Sequence, residues 1–195
     1  IKKQEAEIEE IKNNKIYENA FEWRFEFPEV LNDQGDFEGF DVVIGNPPYG
    51  VKPNDLEQSY FKQKFLANDD IYTRFFERGA MLLGNSGFLN FITPIFWLNG
   101  DNYKNTRTFV KNECTFNLGI ILPYDVFEDA YVDTGIFEFA KGHSGVAARV
   151  YEFDLKNEVS FEILQRIAYV PLEIRDWQAS EMLSIVFNPF WRGLK

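Results

Sequence analysis

One abrupt transition from a strand to a turn limits the fold of this chain more than any other feature. The stretch FDVVIGNPPYG begins with the β-forming run Phe40–Ile44, which predicts a sheet strand. Pro47 and Pro48 cannot continue a strand inside a sheet, so the predicted strand ends at once. The turn therefore places an amide, Asn46, and an aromatic ring, Tyr49, at the tip of a strand.

The predicted elements from this first strand onward include the order strand, helix, strand, helix, strand. This alternation is typical of a parallel sheet with crossover helices, so the predicted fold class is α/β. In open sheets of this class, ligands bind at the carboxyl ends of the strands, which is where the turn would lie. The predicted helices are 60–67, 71–83, 101–113 and 160–170, and the predicted strands are 40–44, 87–94, 115–123, 134–141 and 148–155.

The segments around these elements are less regular. Residues 1–16 predict a charged outer helix, because their isoleucines have helical spacing. Aromatic and charged residues alternate in 21–31, which predicts an edge strand or extended segment, and 51–58 is predicted as a loop. Nothing periodic follows Pro171. Two caps are predicted: Gly84, Asn85 and Ser86 after helix 71–83, and Asp101 or Asn102 before helix 101–113.

Composition predicts a soluble cytoplasmic protein. With 195 residues and 45% hydrophobic content, the chain can build a substantial core. Cys114 is the sole cysteine, which excludes an internal disulfide framework and favours a reducing compartment. His143 is the sole histidine, so no histidine cluster can bind a metal. No apolar stretch approaches the roughly 20 residues that a membrane span requires, so no membrane partner is expected.

The net charge of −11 limits how the chain could bind nucleic acid. Proteins that bind phosphates broadly have an excess of lysine and arginine, so any DNA contact here must be local. Lys104, Arg107 and Lys111 share one helix face that could touch phosphates, but a solvated face is the favoured interpretation.

The turn after the first strand can activate a weakly nucleophilic amine. The lone pair of a nucleobase amino group is delocalised into the ring, and two acceptors for its hydrogens would favour a tetrahedral nitrogen. The side-chain oxygen of Asn46 and the carbonyl of Pro47 could be those acceptors, because Pro48 confines Pro47 to extended geometry. Tyr49 offers a face for stacking. The simpler alternative is a strand-ending turn, since Asn, Gly and Pro all favour turns.

Three further stretches accompany Asn-Pro-Pro-Tyr in a fixed order. FEWRFEFPEVL precedes it, FFERGAMLL with GFLNFITPIFWL follows it, and LPYDVFEDAYVDTGIFEF comes last. From about Phe21 to Lys141 the chain thereby resembles the amino-group DNA methyltransferases, in particular the adenine-specific methylase part of type IIG restriction and modification enzymes. The resemblance implies the C-terminal half of a Rossmann-like methyltransferase sheet with crossover helices.

The resemblance also implies a role for each residue of the motif. Asn46, Pro47, Pro48 and Tyr49 would be catalytic, with Asn46 and the Pro47 carbonyl binding the adenine amino group. Tyr49 would stack on one face of a flipped base and Phe127 on the other, in double-stranded DNA as substrate. Asn46 and Pro48 would also bind the cofactor, S-adenosylmethionine. The alternative for Phe127 is an ordinary core phenylalanine.

One part of the family pattern is absent from this sequence. The Phe-x-Gly-x-Gly turn that binds the cofactor is missing, so we expect the chain to hold the catalytic half of the fold without most of the cofactor pocket and to be inactive alone. An exposed strand edge would then favour association between copies. The expected parts are an N-terminal helix 1–16, a catalytic half-domain 17–145, and a strand, helix and linker 146–195 toward a target-recognition region.

Three other functions fit part of the sequence. Cytosine amino methylation uses a related motif that more often begins with serine. Release-factor methyltransferases use Asn-Pro-Pro-Tyr on a protein glutamine, although the stretch around Phe127 counts against that activity. The non-enzymatic alternative is a catalytically incomplete structural fragment, motivated by the missing cofactor turn.

Overall fold

The computed structural model describes residues 9, 12–13, 21, 23–67, 69–123, 126–127, 132–143, 145–154, 158–181 and 183. Within these residues, six strands form one sheet, and helices pack on both of its faces. The strands are β1 (Phe40–Gly45), β2 (Leu83–Pro94), β3 (Thr115–Ile121), β4 (Thr134–Ala140), β5 (Ala147–Glu152) and β6 (Val170–Glu173). The helices are α1 (Trp23–Glu26), α2 (Asp55–Lys64), α3 (Ile71–Leu82), α4 (Lys104–Glu113), α5 (Phe161–Arg166) and α6 (Ile174–Ala179), with 3-10 turns at Pro28–Val30, Ile95–Leu98 and Asp101–Tyr103.

The sheet is mixed, in the order β1-β2-β4-β3-β5-β6. β1 pairs with β2 and β3 pairs with β5 in parallel, whereas β4 runs antiparallel to both β2 and β3, and β6 runs antiparallel to β5. The α/β class is confirmed, and β1, β2 and β3, the strands of the predicted strand–helix–strand–helix–strand unit, all share one direction. The sequence did not predict the opposite direction of β4 and β6. Twelve residues of chain connect Ile121 of β3 to Thr134 of β4, and β4 pairs with β3 in the opposite direction.

One face of the sheet carries a dense aromatic core under α3, α4 and α6. Trp97 is fully buried, and its ring centroid lies 5.3 Å from Phe76 of α3 and 5.0 Å from Phe137 of β4. Trp177 of α6 stacks on Phe116 of β3 at 4.1 Å with an interplanar angle of 12°. These ring contacts therefore hold α3 and α6 against the sheet.

α3 approaches the sheet closely because it contains a glycine. A Cβ atom on Gly79 would lie 2.5 Å from Cδ1 of Leu89 on β2, so a larger residue at this position would force the Leu89 side chain or the helix to shift. A glycine inside a helix costs about 1 kcal/mol relative to alanine, and the tight packing between α3 and β2 offsets that cost.

The opposite face is covered only at its β3–β5 end. There α5 packs on a smaller cluster that contains Ile120, Leu122 and Phe153. At the β1 end, Val42 is 54% exposed and Ile44 is 80% exposed. Within the described residues, the sheet therefore leaves an apolar surface open beside β1.

Several local expectations are corrected at the N-terminal end. Residues 21–31 are not extended: they contain α1 and a 3-10 turn that begins at Pro28, whose fixed φ suits the first position of a helical turn. The predicted loop 51–58 ends early, because Asn54 starts α2 with a capping box. The predicted helix 1–16 falls largely outside the described residues. Residues 9, 12 and 13 are the part of it that the structure describes, and all three are helical.

Three further corrections concern the later elements. α3 passes directly into β2 at Leu83, whose extended backbone leaves no room for a cap at 84–86. α4 begins after a 3-10 turn and has no side-chain cap, so neither Asp101 nor Asn102 caps it. The chain beyond Pro171 forms α6, anchored by the buried Trp177. The division into three parts stays a prediction.

Candidate functional site

The carboxyl ends of β1, β2 and β3 meet at one edge of the sheet. β1 and β2 are parallel, and β3 has the same direction as β2 because both are antiparallel to β4. At this edge Gly45 pairs with Phe91, and Asn46 follows directly. The structure therefore places the Asn-Pro-Pro-Tyr turn at the end of the sheet where α/β folds bind ligands.

Exposed and anchored residues alternate along the Asn-Pro-Pro-Tyr turn. Asn46 and Pro48 are exposed, Pro47 is buried, and the half-buried Tyr49 packs against the main aromatic core. The buried proline and the tyrosine hold the backbone in place, because neither can leave without exposing apolar surface. The amide of Asn46 is consequently presented to solvent on a fixed support.

The loop after the turn is tied down where α2 begins. Oδ1 of Asn54 accepts a hydrogen bond from the N–H of Glu57 at 2.9 Å, and Oε2 of Glu57 accepts one from the N–H of Asn54 at 2.9 Å. Gly50 has a φ of 69°, a backbone conformation that favours glycine. The turn is thus held by β1 on one side and by a capped helix on the other.

Phe127 lies in the loop that leaves the same edge after β3. Only residues 126 and 127 of the segment 124–131 are described, and Phe127 is half-buried there. β1 and β3 are separated by three strand steps, which is about 14 Å at the usual strand spacing. The fold brings Tyr49 and Phe127 to one edge, and both loops must project over it for their rings to share a base.

The basic face of α4 does not match the expectation of a solvated surface. Arg107 is buried, and its Nη1 donates to the carbonyls of Trp97 and Gly100, each at 2.8 Å. Nζ of Lys111 donates to the carbonyl of Ser180 at 2.5 Å. Burial and the neighbouring Arg107 charge lower the pKa of Lys111 below its ordinary value. These side chains stabilise turns, and Lys104 alone of the three is exposed.

Two carboxylate acceptors that sequence reasoning missed, the buried Glu77 and the half-buried Asp69, hold the segment between α2 and α3. Oε2 of Glu77 accepts hydrogen bonds from the N–H groups of Leu66 and Ala67, at 2.8 and 2.9 Å. Oδ2 of Asp69 accepts from the hydroxyl of Thr106 on α4 at 2.8 Å. Glu77 sits ten or more residues from its partners, so local spacing gave no signal of this contact.

Comparison with solved structures shows which known architecture this fold shares. A candidate class I S-adenosylmethionine-dependent methyltransferase from Listeria monocytogenes superposes with a TM-score of 0.51 and 21% identity, covering 72% of this chain and 43% of that one. The architecture is that of the class I methyltransferases, which confirms the expected fold.

Comparison of sequences then identifies the family. Residues 1–127 match the model of the Eco57I restriction-modification methylase, so the chain belongs to that family. A protein of Methanocaldococcus jannaschii, named as a candidate type II restriction enzyme and methyltransferase, is 34% identical over 164 residues, which cover 83% of this chain and 13% of that protein. A type II methyltransferase of Thermus thermophilus is 29% identical over 125 residues, which cover 56% of this chain and 28% of that protein.

S-adenosylmethionine is the cofactor that this family and fold imply. The two residues expected to border it, Asn46 and Pro48, are both exposed at the carboxyl end of β1, so a ligand at this edge could reach them. The matched segments cover only 13% and 28% of the lengths of the two relatives. We therefore assign no other part of the cofactor pocket to residues of this chain.

No helix in the described part of the chain is long and apolar enough to cross a membrane.

Proposed function

We propose that this chain carries the catalytic turn of a restriction-modification methyltransferase that methylates the exocyclic amine of adenine in double-stranded DNA. The observation that carries the proposal is the exposed amide of Asn46 at the carboxyl end of β1, beside the anchored Pro47 and Tyr49. An amide oxygen held on a rigid support can accept a hydrogen bond as charge develops on an amine, without reorganising during the reaction.

Each residue of the turn has a separate task in this reaction. The side-chain oxygen of Asn46 and the carbonyl of Pro47 accept the two hydrogens of the amine and leave its lone pair available for attack. Tyr49 stacks on the flipped base, and Phe127 closes the opposite face. Asn46 and Pro48 border the cofactor, which when bound supplies the electrophilic methyl group.

The name of the Methanocaldococcus relative combines a restriction enzyme with a methyltransferase, which supports a parent protein of the type IIG kind. The family match also counts against the glutamine-methylating alternative, because the matched family is defined by restriction and modification. Such an enzyme would work in the cytoplasm, where the cellular DNA is.

We further propose that copies associate through the outer edge of β1. In the described part of the chain β1 pairs with β2 alone, and Ile44 beside that edge is 80% exposed. An open apolar edge favours pairing with another strand. Light scattering should show a dimer or larger species that Ile44→Lys shifts toward monomer, and a monomeric wild type would contradict this.

Analysis of modified DNA tests the proposed activity. DNA incubated with the full-length protein and S-adenosylmethionine is digested to nucleosides and examined by mass spectrometry. We expect methylated deoxyadenosine, and at least a hundredfold less with Asn46→Ala, since removing one preorganised hydrogen-bonding group typically costs 10²–10³ in rate. An undiminished yield with Asn46→Ala would refute the role of the turn. Detection of methylated deoxycytidine in place of methylated deoxyadenosine would show that the target base is cytosine.

A further inference from the structure

A groove between α2 and α3 differs in composition from other cavities of the chain. Its volume is about 410 Å³, a size that suits a small ligand or one unit of a polymer. Most of its lining is aromatic, and its charged members are both arginines. The lining residues are Tyr60, Phe61, Phe65, Ile71, Arg74, Phe75 and Arg78.

The floor of the groove is a row of rings fixed by a buried guanidinium. The ring centroids of Tyr60 and Phe61 are 5.9 Å apart, and those of Phe61 and Phe65 are 6.0 Å apart. Cζ of Arg74, which is only 5% exposed, lies 4.3 Å from the centroid of the Phe61 ring. Phe75 at the rim is 40% exposed. The groove therefore presents an apolar surface whose shape is set before any ligand arrives.

The charge of the groove contrasts with the charge of the chain. Two arginines and no carboxylate are among its lining residues, in a chain of net charge −11. Two other cavities in the described part of the chain are lined by charges of both signs. One has Asp101 and Glu181 beside Lys104, Arg107 and Lys111, and the other has Glu38 and Asp41 beside Lys141. A ligand suited to this groove combines a negative charge with an apolar ring or sugar.

The acidic residue nearest to Arg78 in sequence does not neutralise the groove. Glu77 is 5% exposed and is engaged with the N–H groups of Leu66 and Ala67. Arg78 itself is exposed, so its guanidinium can reach an external anion. Lys64 is also exposed, one helical turn after Tyr60 on α2, and adds positive charge near the groove.

A short stretch of chain joins the groove to the Asn-Pro-Pro-Tyr turn. The segment 50–54 is all that separates the Asn-Pro-Pro-Tyr turn from α2, and Tyr60 lies about 8 Å along the helix axis from the start of α2. α3 crosses back from the carboxyl edge of β1 to the start of β2, so its first turn, with Ile71, is near the same edge.

We propose that this groove docks the sugar–phosphate backbone of duplex DNA beside the target base. Arg78 binds a phosphate, the ring of Phe75 packs against a deoxyribose, and the buried Arg74 holds the aromatic floor. Contacts of this kind position a protein on DNA without reading its sequence. The inference rests on the proposed function, because that function supplies DNA as the substrate.

Binding measured against salt concentration tests the groove. The full-length protein is titrated with a fluorescently labelled duplex oligonucleotide, and anisotropy is followed at several salt concentrations. Arg78→Gln should weaken binding about tenfold and reduce the slope of log K against log salt by about one, because one phosphate contact is lost. Phe75→Ala should weaken binding without changing the slope, because no charge is removed.

A matched pair on α5 provides the control. Arg166 and Phe161 are exposed there on the opposite face of the sheet, with Phe161 at 71%. Arg166→Gln and Phe161→Ala should leave both affinity and slope unchanged. Thermal unfolding of all four variants should match the wild type, so that a loss of binding cannot be a loss of folding.

The outcomes separate this inference from the proposed function. If the groove variants bind duplex DNA with wild-type affinity and slope while methylation still depends on Asn46, the groove inference alone is wrong. The same holds if they lose affinity only for an acidic peptide or for single-stranded DNA. If Asn46→Ala methylates DNA normally, the proposed function fails whatever the groove variants do, and a full-length protein that binds no duplex refutes both.

Discussion

The two sides of the sheet have opposite characters. Under α3, α4 and α6, rings of Phe76, Trp97, Phe137 and Trp177 contact one another and are almost completely excluded from solvent. Beside β1, on the other face, Ile44 is 80% exposed. Within the described residues, the chain therefore concentrates its aromatic packing on one face of the sheet and leaves apolar surface open on the other face beside β1.

The Asn-Pro-Pro-Tyr turn stands where these two regions meet. Pro47 is buried and Tyr49 packs on the core, whereas Asn46 projects away from it. A group at such a boundary can be held rigidly without contributing to the packing. We therefore expect stability and activity to respond to different substitutions.

The largest effect on stability should come from the buried Trp97, for which the exposed neighbour Phe96 is the control. Trp97→Ala should lower the free energy of unfolding by about 3–5 kcal/mol, because it removes a ring at the centre of the core. Phe96 is 53% exposed, so Phe96→Ala should change that free energy by less than about 0.5 kcal/mol. Chemical denaturation measures both. Equal effects would break the contrast between the packed and the open regions.

A smaller effect should come from the buried charge on α4. Arg107→Met removes the donors to Trp97 and Gly100 and should lower the free energy of unfolding by about 1.5–3 kcal/mol. Lys104, exposed on the same helix face, is the control, and Lys104→Met should be nearly neutral. If denaturant midpoints showed Lys104→Met to be the more damaging, the view of this face as structural would have to be given up.

The capping box after the Asn-Pro-Pro-Tyr turn should contribute about 1 kcal/mol to the free energy of unfolding. Asn54→Ala leaves the N–H of Glu57 without its acceptor and should reduce stability by that amount. Asn102→Ala should be neutral, because Asn102 does not cap α4. Thermal unfolding of the two variants distinguishes them, and a neutral Asn54→Ala would mean that the loop is not tied down by α2.

The smallest effect is a pH dependence that arises from the core. Burial raises the pKa of the Cys114 thiol from 9.0 to about 11. The unfolded chain therefore loses this proton first, so stability that is complete below pH 9 declines as the pH rises toward 11. At about pH 9.5 the cost should be roughly 0.8 kcal/mol.

Comparison with Cys114→Ala isolates this contribution. The wild type should lose more stability than the variant between neutral and alkaline pH, as measured by denaturant unfolding at each pH. Parallel curves for the two proteins would show that the thiol is not protected by the core.

Local signals predicted the site better than they predicted the surrounding structure. Two consecutive prolines end a strand in any context, so the position of Asn46 at a strand tip followed from the sequence. The direction of β4 did not, because strand pairing depends on which edges are free after the loop from β3 has closed. The helical turn at Trp23–Glu26 was hidden by an aromatic alternation that fits a strand equally well.

Long-range contacts explain the remaining differences. The role of Arg107 depends on carbonyls seven and ten residues away, in turns whose geometry no periodicity predicts. α6 has too few residues for a helical pattern, and it is fixed by the stacking of Trp177 on Phe116. The groove between α2 and α3 could have been suspected from the spacing of Ile71, Phe75 and Arg78, which share a helix face.

The central claim is that Asn46 serves catalysis from a position outside the packed core. The most direct test measures two quantities on the Asn46→Ala variant of the full-length protein: the single-turnover rate of methyl transfer to DNA and the free energy of unfolding. We expect the rate to fall at least a hundredfold while the free energy of unfolding changes by less than about 0.5 kcal/mol. An unchanged rate, or a rate that falls only together with the stability, would contradict the account.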